Sequence, residues 1–137
     1  MNSALEIVEA LLARWRDDPA GCMDKYIARD IVYLLNVSAE LHRLGGETVG
    51  WDAVRAKMLG IRDEFDYVVY RPRIFGVRGN TVRARIEFIY RHKRTGELLT
   101  GTFRSELTVE DGMIVRVAEF VDAPLLESFM RLVSQGD

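Results

Sequence analysis

The sequence has few of the residues that form disulfides or bind metals. Its 137 residues include one cysteine, Cys22, and two histidines, His42 and His92. A single cysteine cannot form an intramolecular disulfide or a Cys-x-x-Cys site, a pattern typical of a reducing compartment, so we predict a cytoplasmic protein. Two histidines are too few for a closed His/Cys metal centre, and we expect neither a metal nor a cofactor.

Long apolar runs and a strong net charge are also missing. No stretch of about 18 apolar residues occurs, and the apolar N-terminal stretch contains glutamates, unlike a signal peptide. The 19 basic and 21 acidic side chains give a net charge of −2. Such a balance creates no overall field toward nucleic acid, so we expect neither a nucleic-acid nor a membrane partner.

The residues that are present predict a folded chain with helices first. Apolar residues make up 48% and charged residues 29%, typical of a globular protein, and the length fits a single domain spanning residues 1–137. Ser3 and Glu6 fit a capping box that opens a first helix. Asp18 and Pro19 open a short second helix, and a third begins near Gly50.

The second half of the chain changes from a helical period to a period of two. In the first half, between the second and third predicted helices, a short β-branched and aromatic segment, Ile31–Val37, already predicts a first strand. Four long strands then follow, joined by tight turns, before a last helix: Tyr67–Val77, Thr81–His92, Glu97–Glu110 and Met113–Asp122. Because no βαβ alternation occurs, we predict an α+β fold in which a curved antiparallel sheet wraps around the N-terminal helices.

The turns also predict which strand residues lie opposite one another. A two-residue turn at Asp111-Gly112 pairs Arg104 with Glu119, and the preceding hairpins add Arg85 and Ile74 to the same row. One sheet face, the aromatic face, then carries Phe75, Ala84, Ile86, Phe88, Tyr90, Phe103, Leu107, Ala118 and Phe120. The other, the charged face, carries Ile74, Arg83, Arg85, Glu87, Arg104, Glu106, Val115, Val117, Glu119 and Val121.

Two orientations of this sheet are open. An antiparallel sheet ordinarily packs its apolar face on helices and leaves its charged face in water. However, the last strand places Val115, Val117 and Val121 on the charged face, which favours a cavity on that side. The aromatic face would then lie outside, and its four Phe and one Tyr predict a homodimer through the outer sheet face, because monomers rarely expose such a patch.

The order of elements resembles the nuclear-transport-factor-2-like (NTF2-like) superfamily, and its SnoaL-like branch in particular. The motifs that carry the resemblance are Gly50–Val54, Gly79–Val82, Val109–Val115 and Glu119–Asp122. It covers nearly the whole chain and implies a cone-shaped, cystatin-like α+β roll, a small-molecule pocket and a side chain of Glu119 that points into the cone. It does not imply one activity, since this superfold hosts isomerases, cyclases, dehydratases, epoxide hydrolases and non-enzymes.

One constellation within the predicted sheet resembles the limonene-epoxide-hydrolase branch, in which an acid–Arg–acid triad works with a Tyr/Asn pair that holds water. The resemblance implies that Glu87 is the general acid, Glu119 the base and Arg85 the bridge, with Asn36 and Tyr33 holding water. This sequence departs from that branch by having Glu at both acid positions and by spacing Tyr33 and Asn36 three residues apart.

Two further side chains belong to the predicted site. Arg104 adds a second cation beside the acids, and we predict that it binds substrate. Trp51, on the apolar stripe of the third helix, is a candidate pocket wall.

These residues support two classes of function. One is a cofactor-independent hydrolase, lyase, isomerase or cyclase that acts on a small, partly apolar molecule through the Arg/Glu cluster. The other is a non-catalytic ligand-binding or dimerisation module in which the same cluster is a structural ion-pair network. In addition, residues 71–94 hold eight basic side chains and one acid, Glu87, which form either a solvated sheet edge or a surface that attracts an anion or an acidic partner.

Overall fold

The computed structural model of the chain describes residues 2–37 and 44–134. Four helices and six strands follow one another as α1 (Ala4–Trp15), α2 (Pro19–Tyr26), β1 (Ile27–Leu35), β2 (Gly46–Val49), α3 (Trp51–Glu64), β3 (Phe65–Arg78), β4 (Thr81–His92), β5 (Leu98–Glu110), β6 (Met113–Phe120) and α4 (Ala123–Ser134). The predicted α+β class, with three helices before the long strands, is confirmed. His42 lies outside the described residues.

The N-terminal helices begin where their capping residues predict. The hydroxyl of Ser3 accepts a hydrogen bond from the Glu6 N–H at 3.2 Å, and the Glu6 carboxylate accepts one from the Ser3 N–H, which completes the capping box. The Asp18 carboxylate accepts a bond from the Gly21 N–H at 3.0 Å at the start of α2. Leu11, Leu12 and other apolar side chains of α1 face the sheet.

The sheet has the strand order β2-β1-β6-β5-β4-β3. The four long strands pair antiparallel, as tight turns require. Two features differ from the prediction. The short strand β2, which pairs with β1, was not among the predicted strands, and β1 pairs parallel with β6. No short turn connects β1 to β6, so no local signal in the sequence sets their relative direction.

A β-bulge changes the predicted register of β5 and β6. Next to the turn the pairing is as predicted, with Val109 opposite Ile114, but Thr108 then pairs with Arg116 and leaves Val115 unpaired. From that point every pair shifts by one residue, so Glu119 lies opposite Ser105 instead of Arg104. The predicted pairing of Glu119 with Arg104 is therefore wrong.

A second bulge moves β3 relative to β4. Ile74 lies opposite Ala84, and Arg73 takes the place predicted for Ile74 opposite Arg85. The row that crosses the sheet here is Arg73, Arg85, Arg104 and Phe120. Bulges that insert one residue carry no distinctive sequence signal in these strands, which is why counting from the turns did not detect them.

The bulge between β5 and β6 reverses the predicted orientation of β4 and β5. The inward side chains of these strands are Ala84, Ile86, Phe88, Phe103 and Leu107, all 9% exposed or less, so the aromatic face packs against the helices. The charged residues between them lie on the outer face, where Glu106 is half-buried and the others, Arg83, Arg85, Glu87 and Arg104, are exposed. A one-residue slip exchanges the two faces of a strand, and the prediction that the charged face lines the cavity is wrong for these strands. The argument for a homodimer through exposed aromatic side chains loses its basis.

Candidate active site

The inner face of the sheet and the helices enclose a cavity of about 160 Å³. Its wall is mostly aliphatic and aromatic, with side chains from α1, α3, α4 and the long strands, among them Leu12, Met58, Phe65, Phe88, Phe103 and Leu107. Among the described residues of the wall there is no Lys, Arg or His. A carboxyl group buried in such a wall loses its hydration and has no basic side chain of the described wall to pair with.

Glu119 is the acid that this cavity encloses. It lies on β6 beyond the Val115 bulge and faces the interior together with Val117 and Val121. Burial raises the pKa of its carboxyl group from 4.5 to about 7, although a hydrogen bond from Tyr33 acts in the opposite direction. The second acid of the wall, Asp122, accepts a hydrogen bond from the Leu125 N–H at 3.1 Å at the start of α4.

Tyr33 orients the Glu119 carboxyl group. Its hydroxyl donates a hydrogen bond to Oε1 of Glu119, and its side chain is only 4% exposed. The parallel pairing of β1 with β6 produces this contact, since Tyr33 lies opposite Val117 and Leu35 opposite Glu119. Burial and the nearby Glu119 charge raise the pKa of the Tyr33 phenol well above its usual range, so Tyr33 remains a proton donor in this bond.

Asn36 fixes the backbone on which Glu119 lies. Its N–H donates to the Glu119 carbonyl oxygen at 3.1 Å, and its side-chain Oδ1 accepts from the Val121 N–H at 2.7 Å. The Asn36 side chain itself is exposed and does not line the cavity. Because Tyr33 and Asn36 are three residues apart, Tyr33 points into the cavity and Asn36 lies outside it, where its hydrogen bonds position the end of β6.

Three further tyrosines line the wall, and the sequence reasoning did not assign them to the site. The rings of Tyr67 and Tyr90 stack with centroids 3.9 Å apart, and Tyr70 stacks on Tyr67 at 5.8 Å. The pKa values of all three phenols are raised, mainly by burial and to a smaller extent by nearby negative charge that includes the Glu119 carboxylate. A bulge at Val68 turns Tyr67 and Tyr70 to the same side although they are three residues apart, so their spacing gave no signal.

The structure does not bring the predicted Arg/Glu cluster to the cavity. Arg85, Glu87 and Arg104 are exposed on the outer face. Glu87 pairs there with Arg71 at 3.6 Å, and the Arg104 guanidinium lies 4.6 Å from the centre of the Phe120 ring. Of the predicted site residues, only Tyr33 and Glu119 meet inside the cavity.

Trp51 also lies away from the cavity wall. Its indole N–H donates to the Met23 carbonyl oxygen at 2.9 Å, and the guanidinium groups of Arg29 and Arg55 lie over its ring at 4.6 and 5.7 Å from the centroid. Trp51 thus joins the start of α3 to α2 and is not among the described residues of the cavity wall.

His92 serves the packing of the fold. It is 3% exposed, and its ring nitrogens lie 2.9 Å from the Thr95 hydroxyl and 3.2 Å from a Glu64 carboxylate oxygen. Within residues 2–37 and 44–134, no three His, Cys, Asp or Glu side chains are grouped as a metal site would require. No helix in the same part of the chain is both long and apolar enough to cross a membrane.

The layers described above define an NTF2-like fold, a curved sheet that holds helices and a cavity on its concave side. The profile of the SnoaL-like domain family matches residues 8–117. The chain therefore belongs to the SnoaL-like domain family. No curated protein matches it.

Solved structures share this fold at low sequence identity. A candidate SnoaL-like polyketide cyclase from Mesorhizobium loti is 22% identical, with a TM-score of 0.75 over 88% of this chain and 100% of that chain. A candidate isomerase from Bacillus subtilis is 17% identical, with a TM-score of 0.79 over 96% of both chains. TerC, co-crystallised with polyporic acid, is 20% identical, with a TM-score of 0.75 over 96% of this chain and 98% of its own.

Proposed function

We propose that this protein is a cofactor-independent isomerase or cyclase that moves a proton on a small, neutral, largely apolar ligand, with Glu119 as its acid–base group. The observation that carries the proposal is the Glu119 carboxyl group in an apolar cavity, with a pKa of about 7 and one oxygen held by Tyr33. A general acid–base group works best when its pKa is close to the working pH. This role replaces the Arg/Glu cluster that the sequence indicated.

The chemistry follows from the protonation states of the wall. In its ionised form Glu119 removes a proton from a carbon next to a carbonyl group, and the electron pair moves onto the carbonyl oxygen. Phenols with raised pKa values, such as Tyr67 and Tyr90, stay protonated and stabilise that oxygen by donating hydrogen bonds. The protonated Glu119 then returns the proton to another carbon. Alternatively, the enolate carbon attacks a second carbonyl carbon and closes a ring, the electron pair of that carbonyl bond moves onto its oxygen, and Glu119 gives its proton to this alkoxide oxygen.

The wall also limits the class of ligand. The described wall contains no Lys, Arg or His side chain that could pair directly with a carboxylate or a phosphate, and the Arg62 guanidinium lies against the Tyr67 ring, 3.9 Å from its centre. Aromatic side chains such as Phe88 and Tyr90 favour a flat, conjugated molecule. The names of the relatives called isomerase and polyketide cyclase are compatible with proton transfer on such a ligand.

Deuterium exchange tests this proposal without knowledge of the natural substrate. The protein is incubated in D₂O with a panel of small conjugated ketones, and deuterium uptake at the carbon next to the carbonyl is followed by NMR. We expect catalysed exchange for at least one ketone and a loss of about 10²–10⁴-fold in Glu119→Gln, because Gln keeps the shape but cannot accept the proton.

Glu87→Gln is the matched control. It makes the same chemical change at the other acid that the sequence indicated, and Glu87 lies on the outer face, so its exchange rate should equal that of the wild type. Equal rates in wild type and Glu119→Gln would contradict the proposal. Ketones or polyporic acid that raise the melting temperature but are never exchanged would instead support a non-catalytic binding module.

A further inference from the structure

One polar side chain of the cavity wall has no role in the proposed function. Ser105 lies on β5 between Phe103 and Leu107, which line the same cavity, and it is only 3% exposed. Burying a hydroxyl group among apolar side chains costs free energy unless the hydroxyl forms a hydrogen bond. Packing alone therefore does not explain a serine at this position.

The hydroxyl group of Ser105 is open to the cavity. It forms no hydrogen bond with another described residue, and yet no fully enclosed polar side-chain atom of the described residues lacks a partner. The hydroxyl group therefore faces free space, and the free space that Ser105 lines is the cavity. A ligand in the cavity can supply the missing hydrogen bond.

Ser105 and Tyr33 lie on opposite flanks of Glu119. Glu119 belongs to β6, which lies between β1 and β5 in the sheet. Tyr33 on β1 holds Oε1 of the carboxyl group, whereas Ser105 on β5 is the residue directly opposite Glu119. Side chains that face each other in this way have Cβ atoms about 4.5–5.5 Å apart. A group bound to Ser105 therefore lies beside the carboxyl group, on the side away from Tyr33.

We propose that Ser105 is a specificity-determining residue that binds the hydroxyl group of a hydroxyketone, with that hydroxyl on the carbon from which Glu119 removes a proton. This rests on the acid–base role proposed above for Glu119. A carbon that gives its proton to Glu119 lies within about 3–3.5 Å of the carboxylate, so an oxygen attached to that carbon reaches the neighbouring Ser105 side chain. The ligand class narrows from conjugated ketones in general to those with a hydroxyl group beside the carbonyl.

The two kinds of hydroxyl group in the wall suit the two oxygens of such a ligand. The phenols of Tyr67 and Tyr90 keep their protons because their pKa values are raised, so they donate to the carbonyl oxygen, where negative charge develops. The Ser105 hydroxyl both donates and accepts, which suits a ligand hydroxyl that does the same. A methyl group in that position would leave the Ser105 hydroxyl buried without a partner.

The binding of two ketones of nearly equal size tests this assignment. Phenacyl alcohol carries a hydroxyl group beside its carbonyl, and propiophenone carries a methyl group in the same place. We expect the wild type to bind phenacyl alcohol at least about tenfold more tightly, measured by titration calorimetry, because propiophenone leaves the Ser105 hydroxyl unpaired. Ser105→Ala should bind the two ketones equally well.

Ser128→Ala is the matched control for this test. It makes the same chemical change at an exposed serine of α4, so it should keep the preference of the wild type. A wild type that does not bind phenacyl alcohol, or that binds both ketones equally, would overturn the proposal. The same preference in Ser105→Ala as in the wild type would also overturn it.

The melting temperature without ligand gives a second readout. Ser105→Ala removes a hydroxyl group that has no partner among the described residues, so its melting temperature should equal or exceed that of the wild type. A lower melting temperature would show that the hydroxyl already has a partner within the chain, and would contradict the proposal.

Deuterium exchange separates this proposal from the acid–base role of Glu119. We expect Ser105→Ala to lower kcat/KM for the exchange of phenacyl alcohol by at least about tenfold and to leave that of propiophenone unchanged. If exchange depended on Glu119 but Ser105→Ala changed neither rate, the role of Ser105 would be wrong and that of Glu119 would stand. If Glu119→Gln exchanged both ketones at the wild-type rate while Ser105→Ala lost the binding preference, the acid–base role would be wrong and the hydroxyl-binding site would stand.

Discussion

The chemistry of the cavity depends on a balance of opposed effects at one residue. Desolvation favours the neutral form of Glu119, and the hydrogen bond from Tyr33 favours its ionised form. Desolvation has the larger effect, so the pKa rises to about 7. Arg104, which the sequence indicated as a neighbouring cation, would have held this pKa low, but it lies on the other side of the sheet.

This raised pKa predicts how the stability of the protein depends on pH. Because the pKa of Glu119 is higher in the folded state than in the unfolded state, the folded protein binds more protons between pH 4.5 and about pH 7. The free energy of unfolding therefore falls as the pH rises through that interval, by about 3 kcal/mol from this group. Glu119→Gln lacks this loss, so it should gain stability relative to the wild type on going from pH 4.5 to pH 8.

Urea unfolding of both proteins at several pH values measures the difference. Other titrating groups contribute to both curves and cancel in the comparison, which makes the variant its own control. A constant stability difference from pH 4.5 to pH 8 would mean that Glu119 has the same pKa folded and unfolded.

At the scale of the strands, local signals in the sequence predicted which residues lie opposite one another in a hairpin better than they predicted which face of the sheet points to the cavity. The Asp111-Gly112 turn is where the sequence placed it, with positive φ angles of 51° and 79° that suit a two-residue hairpin. The register of β4 and β5 also agrees, with Arg85 opposite Arg104. Each of these features depends on residues close together in the chain.

The errors arose where single-residue bulges changed the count. The valines of the last strand gave no sign of the bulge at Val115. Val117 and Val121 face the interior in both the predicted and the observed structure, so the apolar pattern is the same with or without the extra residue. The side-chain pattern of β6 correctly predicted that Glu119 points inward. The same inward face was then assigned to β5 by counting across the bulge, so Arg104 was predicted to point inward where Phe103 does. Sequence periodicity was reliable within β4 and β5, whose pairing with each other has no bulge, and it failed across the bulges of β3 and β6.

The observed orientation of β5 makes a prediction for two adjacent residues. Phe103 is 9% exposed and lines the cavity, whereas Arg104 is exposed on the opposite face. Phe103→Asp should destabilise the fold by about 3–5 kcal/mol or prevent folding, because it buries a charge among apolar side chains. Arg104→Asp should change the stability by less than about 1 kcal/mol.

Thermal and urea unfolding of the two variants distinguishes the orientations. If the aromatic face lay outside, as the sequence indicated, Phe103→Asp would leave a stable fold and alter only the association of chains. A Phe103→Asp protein with wild-type stability would therefore contradict the observed orientation of the sheet.

For the molecule as a whole, the sheet separates two chemical environments. Its concave side holds the cavity with Glu119, and its convex side holds a positively charged row of Arg73, Arg85 and Arg104. The net charge of the whole chain is only −2, so the composition reveals neither the apolar cavity nor the positively charged row. The homodimer and the cytoplasmic location that the sequence indicated stay predictions, since the structure describes a single chain.

The measurement that tests the account most directly is an NMR titration of the Glu119 side chain. Protein labelled with ¹³C at glutamate is titrated, and Glu119→Gln identifies the resonance by its disappearance. We expect a midpoint near pH 7 in the wild type and a higher one in Tyr33→Phe, because that variant loses the hydrogen bond that favours the ionised carboxylate. A wild-type midpoint near pH 4.5 would contradict the central claim, since Glu119 would then be an ordinary solvated carboxylate.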